Sequence, residues 1–299
     1  MQINQSALRT LFTGFNAAFR NGLDSQAASQ FGRIATTVPS TTREQDYGWL
    51  GKIPNVREWV GDRVVHNITQ AGYTIRNKSY EVTISVSKDD IEDDNLGIYG
   101  PLFTELGAAS GAHYDQLVFG LLKAGFATAC YDRQYFFDTD HPVLAEDGVT
   151  VNSVANTDGG AGEPWFLIDD SRFLKPVILQ KRADWNLVRK DQPTDDNVFD
   201  RKEFVYGTDA RHNVGFGFWQ FAWGSKQVLS KDSYGDARTA MMGLKGDFGR
   251  PLGVRPRLLV VPPSLEKAGL EILNAERDAA GATNVYKGTA ELMVCPWLA

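Results

Sequence analysis

Between Tyr80 and Ser87 the chain alternates without a break. Tyr80, Val82, Ile84 and Val86 fall on one side, and Glu81, Thr83, Ser85 and Ser87 on the other. This is the period-two pattern of a strand with one apolar face. Upstream, residues 62–75 also read as a strand, joined to the first through the polar turn Arg76-Asn77-Lys78-Ser79. Together they predict a two-stranded hairpin over residues 47–87. An isolated hairpin is marginal in water, so one this long must lie on its own domain or on a neighbour. It carries Arg57, Glu58, Asp62 and Arg63 beside Trp49 and Trp59, and aromatics with arginine are enriched at protein interfaces. A local cluster within the chain would explain the same residues.

The flanks have their own periods. Leu8, Leu11, Phe12, Phe15 and Phe19 follow helical spacing, which predicts an amphipathic helix that packs on its own core or docks on another subunit. Residues 21–43, rich in Ser, Thr, Ala and Gln, read as an extended arm. After the hairpin, Ser87 is placed to cap a helical turn, with Asp90 completing a capping box. The acids Asp89, Asp90, Glu92, Asp93 and Asp94 lack EF-hand spacing and suit a helix N-terminus. From Pro101, a favoured first helical residue, apolar positions recur to Gly125. That predicts a helix on the order of 35 Å long. Residues 131–163 look irregular. Strands are expected at 165–168, 176–180, 214–223, 258–261 and 291–295, a polar linker at 190–197, and helices at 234–244 and 265–273, the last capped by Ser264.

With 299 residues, length predicts about two domains and an ample core. Net charge is −6 and the isoelectric point about 5.3. Scattered, outnumbered Lys and Arg argue against tight nucleic-acid binding, which needs a basic patch. Two distant cysteines, Cys130 and Cys295, make no zinc spacing and fit buried thiols in a reducing compartment. No apolar run is long enough to span a bilayer, and the N-terminus lacks a secretory signal. The chain is expected to fold in the cytoplasm.

No phosphate-binding loop, dinucleotide fingerprint, HExxH or GxSxG is present. Asp138-Thr139-Asp140-His141 could bind a metal or activate water. A turn rich in Asp and followed by Pro142 explains the same residues through side-chain-to-backbone bonds. Phe216, Phe218, Trp219, Phe221 and Trp223 could stack on bases, but with only Arg211 and Lys226 flanking them they read as core. The pairs Arg211-His212 and Lys181-Arg182 read as solvated surface.

The order of arm, long hairpin, long helix and mixed α/β region resembles the tailed-phage major capsid fold of the Hong Kong 97 type. The segments YGWLGKIPNVREWVGDR (47–63), SYEVTISVSKDDIEDDNLGIYGP (79–101), FFDTDHPV (136–143), NVGFGFWQFAWGS (213–225) and RPLGVRPRLLVVPPSLEKAGLEIL (250–273) are similar to the Mu-like prophage major head subunit family, gpT. The resemblance implies an α+β fold with an N-terminal arm (1–46), an extended E-loop hairpin (47–87), a peripheral domain with its spine helix (88–163), and further peripheral strands with an axial domain (164–299). It implies a structural shell protein, not an enzyme, with no cofactor and no catalytic or metal residues. Copies would associate into hexamers and pentamers of an icosahedral shell around phage DNA. Other implied partners are a separate scaffold protein, a portal, a maturation protease, and double-stranded DNA held without sequence-specific binding. No membrane partner is implied. Assembly would occur in the bacterial host cytoplasm and the product would be a virion capsid. Candidate inter-subunit residues are Trp49, Arg57, Glu58, Trp59, Asp62 and Arg63 of the hairpin, and Leu8, Leu11, Phe12 and Phe15 of the arm. Two alternatives remain: a metal-dependent hydrolase built on Asp138, Asp140 and His141, and an encapsulin-like compartment of the same fold.

Overall fold

The computed structural model describes residues 4–25, 30–50, 72–93, 96–277 and 281–299. In chain order the first part holds α1 (Gln5–Ser25), α2 (Phe31–Ile34), β1 (Ala35–Pro39), β2 (Glu44–Asp46), β3 (Thr74–Arg76), β4 (Lys78–Ser87), α3 (Lys88–Glu92) and α4 (Tyr99–Ala124). The middle holds β5 (His141–Leu144), β6 (Val151–Val154), β7 (Thr157–Gly160), β8 (Trp165–Ile168), β9 (Val177–Lys190), α5 (Asp196–Arg201) and β10 (Glu203–Phe216). The last part holds β11 (Ala222–Lys226), α6 (Lys231–Met242), the two-residue strands β12 (Lys245–Gly246) and β13 (Arg250–Pro251), then β14 (Leu258–Val261), α7 (Glu266–Leu273) and β15 (Glu291–Val294).

Two sheets organise these elements. The first has the order β1-β9-β10-β4. Its centre is the long antiparallel pair β9 and β10; β4 adds antiparallel to β10, with Glu203 opposite Ser87 and His212 opposite Lys78, and β1 adds parallel to β9. Phe204, Tyr206, Thr208, Ala210 and His212 of β10 are all buried, the alternation of a strand with one covered face. Helices α1 and α4 cover it. Tyr206 meets Phe15 and Phe103 edge-on, with ring centroids 5.4 and 5.2 Å apart, and Phe15 stacks on Phe103 at 4.1 Å. Burying each such ring contributes about 1.5–3 kcal/mol. The two helices cross at glycines: a Cβ on Gly107 would lie 2.0 Å from the Phe19 carbonyl oxygen, and one on Gly22 would lie 1.8 Å from that of Thr104.

The second sheet has the order β15-β14-β8-β11-β7. Every residue of β8 and β14 is buried, so both read as short continuous apolar runs, as strands covered on both faces do. α7 packs on β14 and β15, and α6 on β11. Ser230 and Ser233 form a reciprocal capping box at the start of α6.

Several sequence expectations are corrected. β4 does not pair with the strand before it: β3 pairs with β2, while β4 joins β10. The chain changes sheet at Asn77, a buried residue rather than an open turn. Periodicity identifies a strand but not its partner. Residues 62–71 of the expected upstream strand lie outside the described residues. Ser87 makes no side-chain cap; Asp90 instead accepts the Tyr99 hydroxyl. Ser264 does not cap α7 either, since its hydroxyl donates to Glu163 at 2.5 Å. The aromatic run is not one strand. At Gly217 the chain leaves the first sheet for the second, so close to Lys175 that a Cβ would lie 2.4 Å from its carbonyl oxygen. Residues 190–197 are the end of β9 and a turn into α5, and residues 131–163 contain β5, β6 and β7. His212 is fully buried and Lys181 lies over the Tyr114 ring at 4.1 Å, so neither is solvated surface.

His212 has no hydrogen-bond partner on either ring nitrogen. Burial, then the nearby charges of His113 and Lys181, push its pKa down to about 4. An exposed imidazole titrates at ~6.5. Between those values the unfolded chain binds a proton that the folded chain refuses. The stability contributed is therefore complete above about pH 6.5 and is lost as pH falls toward about 4. Urea midpoints should decline over that window, and His212→Phe should flatten the decline; an unchanged slope would refute the assignment.

Candidate assembly surfaces and the Asp138–His141 loop

The excursion between β2 and β3 is rooted in the first sheet by a buried polar network. The Tyr47 hydroxyl donates to Gln180 Oε1 at 2.8 Å. Gln180 Nε2 donates to the Ile75 carbonyl at 3.1 Å and to Asn77 Oδ1 at 2.9 Å. Asn77 Nδ2 in turn donates to Ser40 Oγ at 3.1 Å and the Thr42 carbonyl at 2.9 Å. The Tyr73 hydroxyl accepts from the Phe216 backbone N–H at 2.7 Å. Burial, then mutual repulsion, pushes the Tyr47 phenol up to about 12, so it stays a donor at any physiological pH. Both chain ends of the excursion are thus fixed to β9 and β10. Gln180→Leu would leave the Tyr47, Asn77 and Ile75 groups without their partner. A loss of about 2–4 kcal/mol is expected, read as a lower urea midpoint at constant m-value.

Of the candidate hairpin residues, Trp49 is described. It is half-buried against the chain's own Tyr47 and Phe218, with centroids 5.9 and 6.1 Å apart. Arg57, Glu58, Trp59, Asp62 and Arg63 lie outside the described residues. The arm candidates pack within the chain. Leu8, Leu11 and Phe15 are buried within the chain, and Phe12 is sandwiched between Tyr206 and the Arg189 guanidinium, which sits 4.9 Å from its ring centre. A helical apolar stripe looks the same whether its partner is in the same chain or another.

The Asp138–His141 loop does not assemble the expected trio. Asp138 accepts the backbone N–H groups of Tyr135 and Thr139 at 3.2 and 2.7 Å, the turn-building role. Asp140 is exposed. His141 turns inward, fully buried, and stacks on Trp219 at 4.0 Å. Its Nδ1 lies 2.7 Å from Asp132, which also accepts the Cys130 thiol. Sequence reading missed Asp132, Gln180 and Asn77: each is a polar residue in an unremarkable local context, and only the tertiary fold brings it to its partners.

Comparison with solved structures fits this architecture. The protein of the bacteriophage JBD30 procapsid superposes with a TM-score of 0.90 at 44% identity, over 99% of this chain and 100% of that one. That of the JBD30 capsid gives 0.78 at 34% identity, over 91% of each. The fold therefore defines a phage capsid subunit, α+β and of the Hong Kong 97 type. The family model of the Mu-like prophage major head subunit gpT matches residues 8–298. A Mu-like prophage FluMu major head subunit from Haemophilus influenzae is 44% identical over 95% of each chain, and the major capsid protein of Escherichia phage Mu is 42% identical over the whole of both. The chain belongs to the Mu-like prophage major head subunit family: it is a phage major capsid protein, whose copies form the shell. That family is structural and not an enzyme class. Among the described residues no helix is long and apolar enough to cross a membrane.

Proposed function

We propose that shell closure runs through the excursion rooted at β2 and β3. Its residues Arg57, Glu58, Trp59, Asp62 and Arg63 would lie on a neighbouring subunit in hexamers and pentamers, with Trp49 at the base. In this reading residues 47–87 hold the E-loop, α4 is the spine of the peripheral domain, and the second sheet with α6 and α7 is the axial domain. The observation that carries it is the Gln180-centred network: it fixes the two ends of an excursion that carries an interface-type composition. Many weak copies of one contact suffice, because a closed shell multiplies them. A separate scaffold, a portal and a maturation protease complete assembly in the host cytoplasm, and no membrane takes part. Packaged double-stranded DNA meets a chain of net charge −6, which suits sliding rather than gripping.

Negative-stain microscopy of Trp59→Ala combined with Arg57→Ala tests the proposal. Wild-type chain with its scaffold should give shells, and the variant should give isolated capsomers or monomers with an unchanged melting temperature. Normal shells from the variant, or from a chain with residues 51–71 replaced by a short Gly-Ser linker, would overturn it.

A further inference from the structure

Cys130, Asp132 and His141 bring a sulfur, a carboxylate and an imidazole nitrogen together, all within 4.8 Å of one another. The Cys130 thiol donates to Asp132 Oδ1 at 3.0 Å, and His141 Nδ1 lies 2.7 Å from Asp132 Oδ2. The side chains of Asp132 and His141 are 9% and 0% exposed. None of the three belongs to the shell contacts proposed above.

The surroundings fix which way the imidazole is protonated. Asn156 is fully buried. Its Nδ2 faces three carbonyl oxygens, those of Phe136 at 2.8 Å, Trp219 at 3.4 Å and Ala222 at 3.3 Å. Its Oδ1 accepts the Asp138 backbone N–H at 2.9 Å. The amide cannot be reversed without setting its NH₂ group against a donor. Oδ1 is therefore the atom 3.2 Å from His141 Nε2, and Nε2 carries a hydrogen. In a neutral ring Nδ1 is then a lone pair, and it points at a carboxylate oxygen. Two lone pairs at that distance repel unless something positive lies between them. A histidine that donates its far N–H to a carbonyl oxygen and turns its near lone pair toward a carboxylate is oriented as metal-bound histidines are.

We infer that Cys130, Asp132 and His141 form a structural zinc site that ties the start of the segment after α4 to the first residue of β5. The donor set suits zinc, which accepts thiolate, imidazole and carboxylate together. Asp132 lies between the other two and can supply both oxygens, giving four donor atoms. Bonds of about 2.0–2.3 Å require the donors to part by about half an ångström. On binding, the ion takes the place of the thiol proton and of any proton between Nδ1 and Oδ2, and these protons leave to solvent. Burial pushes the Cys130 thiol well above its ordinary range, so without the ion it remains a neutral hydrogen-bond donor. Held among buried side chains, the ion would act by stabilising the fold.

The test uses the full chain, expressed with and without added zinc chloride and freed of loosely held metal by dialysis. Elemental analysis should find stoichiometric zinc. A strong chelator should remove it and lower the melting temperature, and zinc chloride alone should restore it. Cobalt(II) loaded in its place should give a thiolate-to-cobalt charge-transfer band that Cys130→Ser lacks. His141→Gln should lose the zinc while the far-ultraviolet circular dichroism is retained. Wild-type chain with no zinc, no such band and a melting temperature indifferent to zinc would overturn the inference. So would equal zinc retention by wild type and Cys130→Ala, which would place the metal elsewhere.

Discussion

Gly107→Val is expected to lift α1 off α4 and to cost at least about 3 kcal/mol, the upper part of the range for overpacking. The obstacle is backbone, not side chain. A Cβ at residue 107 would sit 2.0 Å from the Phe19 carbonyl oxygen and 2.8 Å from the Leu23 nitrogen, and no rotamer change relieves that. The reciprocal glycine, Gly22, faces the Thr104 carbonyl as closely, so neither helix can yield by sliding. Moving α1 also breaks the stack of Phe15 on Phe103 and the edge contact of Phe15 on Tyr206. Gly14 is the control. Its would-be Cβ meets nothing within 4 Å, and Gly14→Ala should be neutral or stabilising by up to about 1 kcal/mol. Chemical denaturation reads both. A wild-type midpoint for Gly107→Val would mean that the helices are not in backbone contact.

Asn156→Ala is the second large effect, expected at about 3–5 kcal/mol. Asn156 answers three carbonyl oxygens, one backbone N–H and the His141 ring from a fully buried position. Alanine leaves all of them unanswered and opens a cavity too. Asn156→Asp should be no milder, because it turns a carboxylate oxygen toward three carbonyls. Circular dichroism melts distinguish this from a surface change, which stays within about 0.5 kcal/mol. A small loss for Asn156→Ala would show that water takes over the vacated bonds.

These two residues also mark where the sequence stops being legible. Elements whose evidence is local were readable. The stripe from Leu8 to Phe19 is α1, the proline-flanked run from Pro101 is nearly all of α4, and the alternation from Tyr80 is β4. The apolar runs at 165–168 and 258–261 are β8 and β14. What failed was the choice of partner. The period of β4 was clear, but nothing in it says that its neighbour is β10 rather than the strand just upstream. The stripe on α1 does not reveal that its partner is α4 of the same chain. Gly107 looks like a weak spot in a helix until Phe19 is placed against it. Cys130, Asp132 and His141 are separated by the turn that hides their convergence, while Asp138 and Asp140, two residues apart and conspicuous, serve a turn and the solvent. The family resemblance was legible for a different reason: it rests on the order of many segments, and order survives where individual contacts cannot be read.

The footing of the excursion has a mechanical consequence. A strut joined to its support by a single flexible point can swing, and it transmits little torque. A segment held at two points on one support cannot pivot about either point alone. Tyr47 and Asn77 are those two points, and Gln180 ties them to one place on β9. A load that reaches Tyr47 or Asn77 therefore cannot be absorbed by pivoting at Gln180. It is passed into the β9–β10 ladder and, through Tyr206, into α1 and α4. Load on either end is thus carried by the sheet to which Gln180 belongs and not by a hinge between β2 and β3.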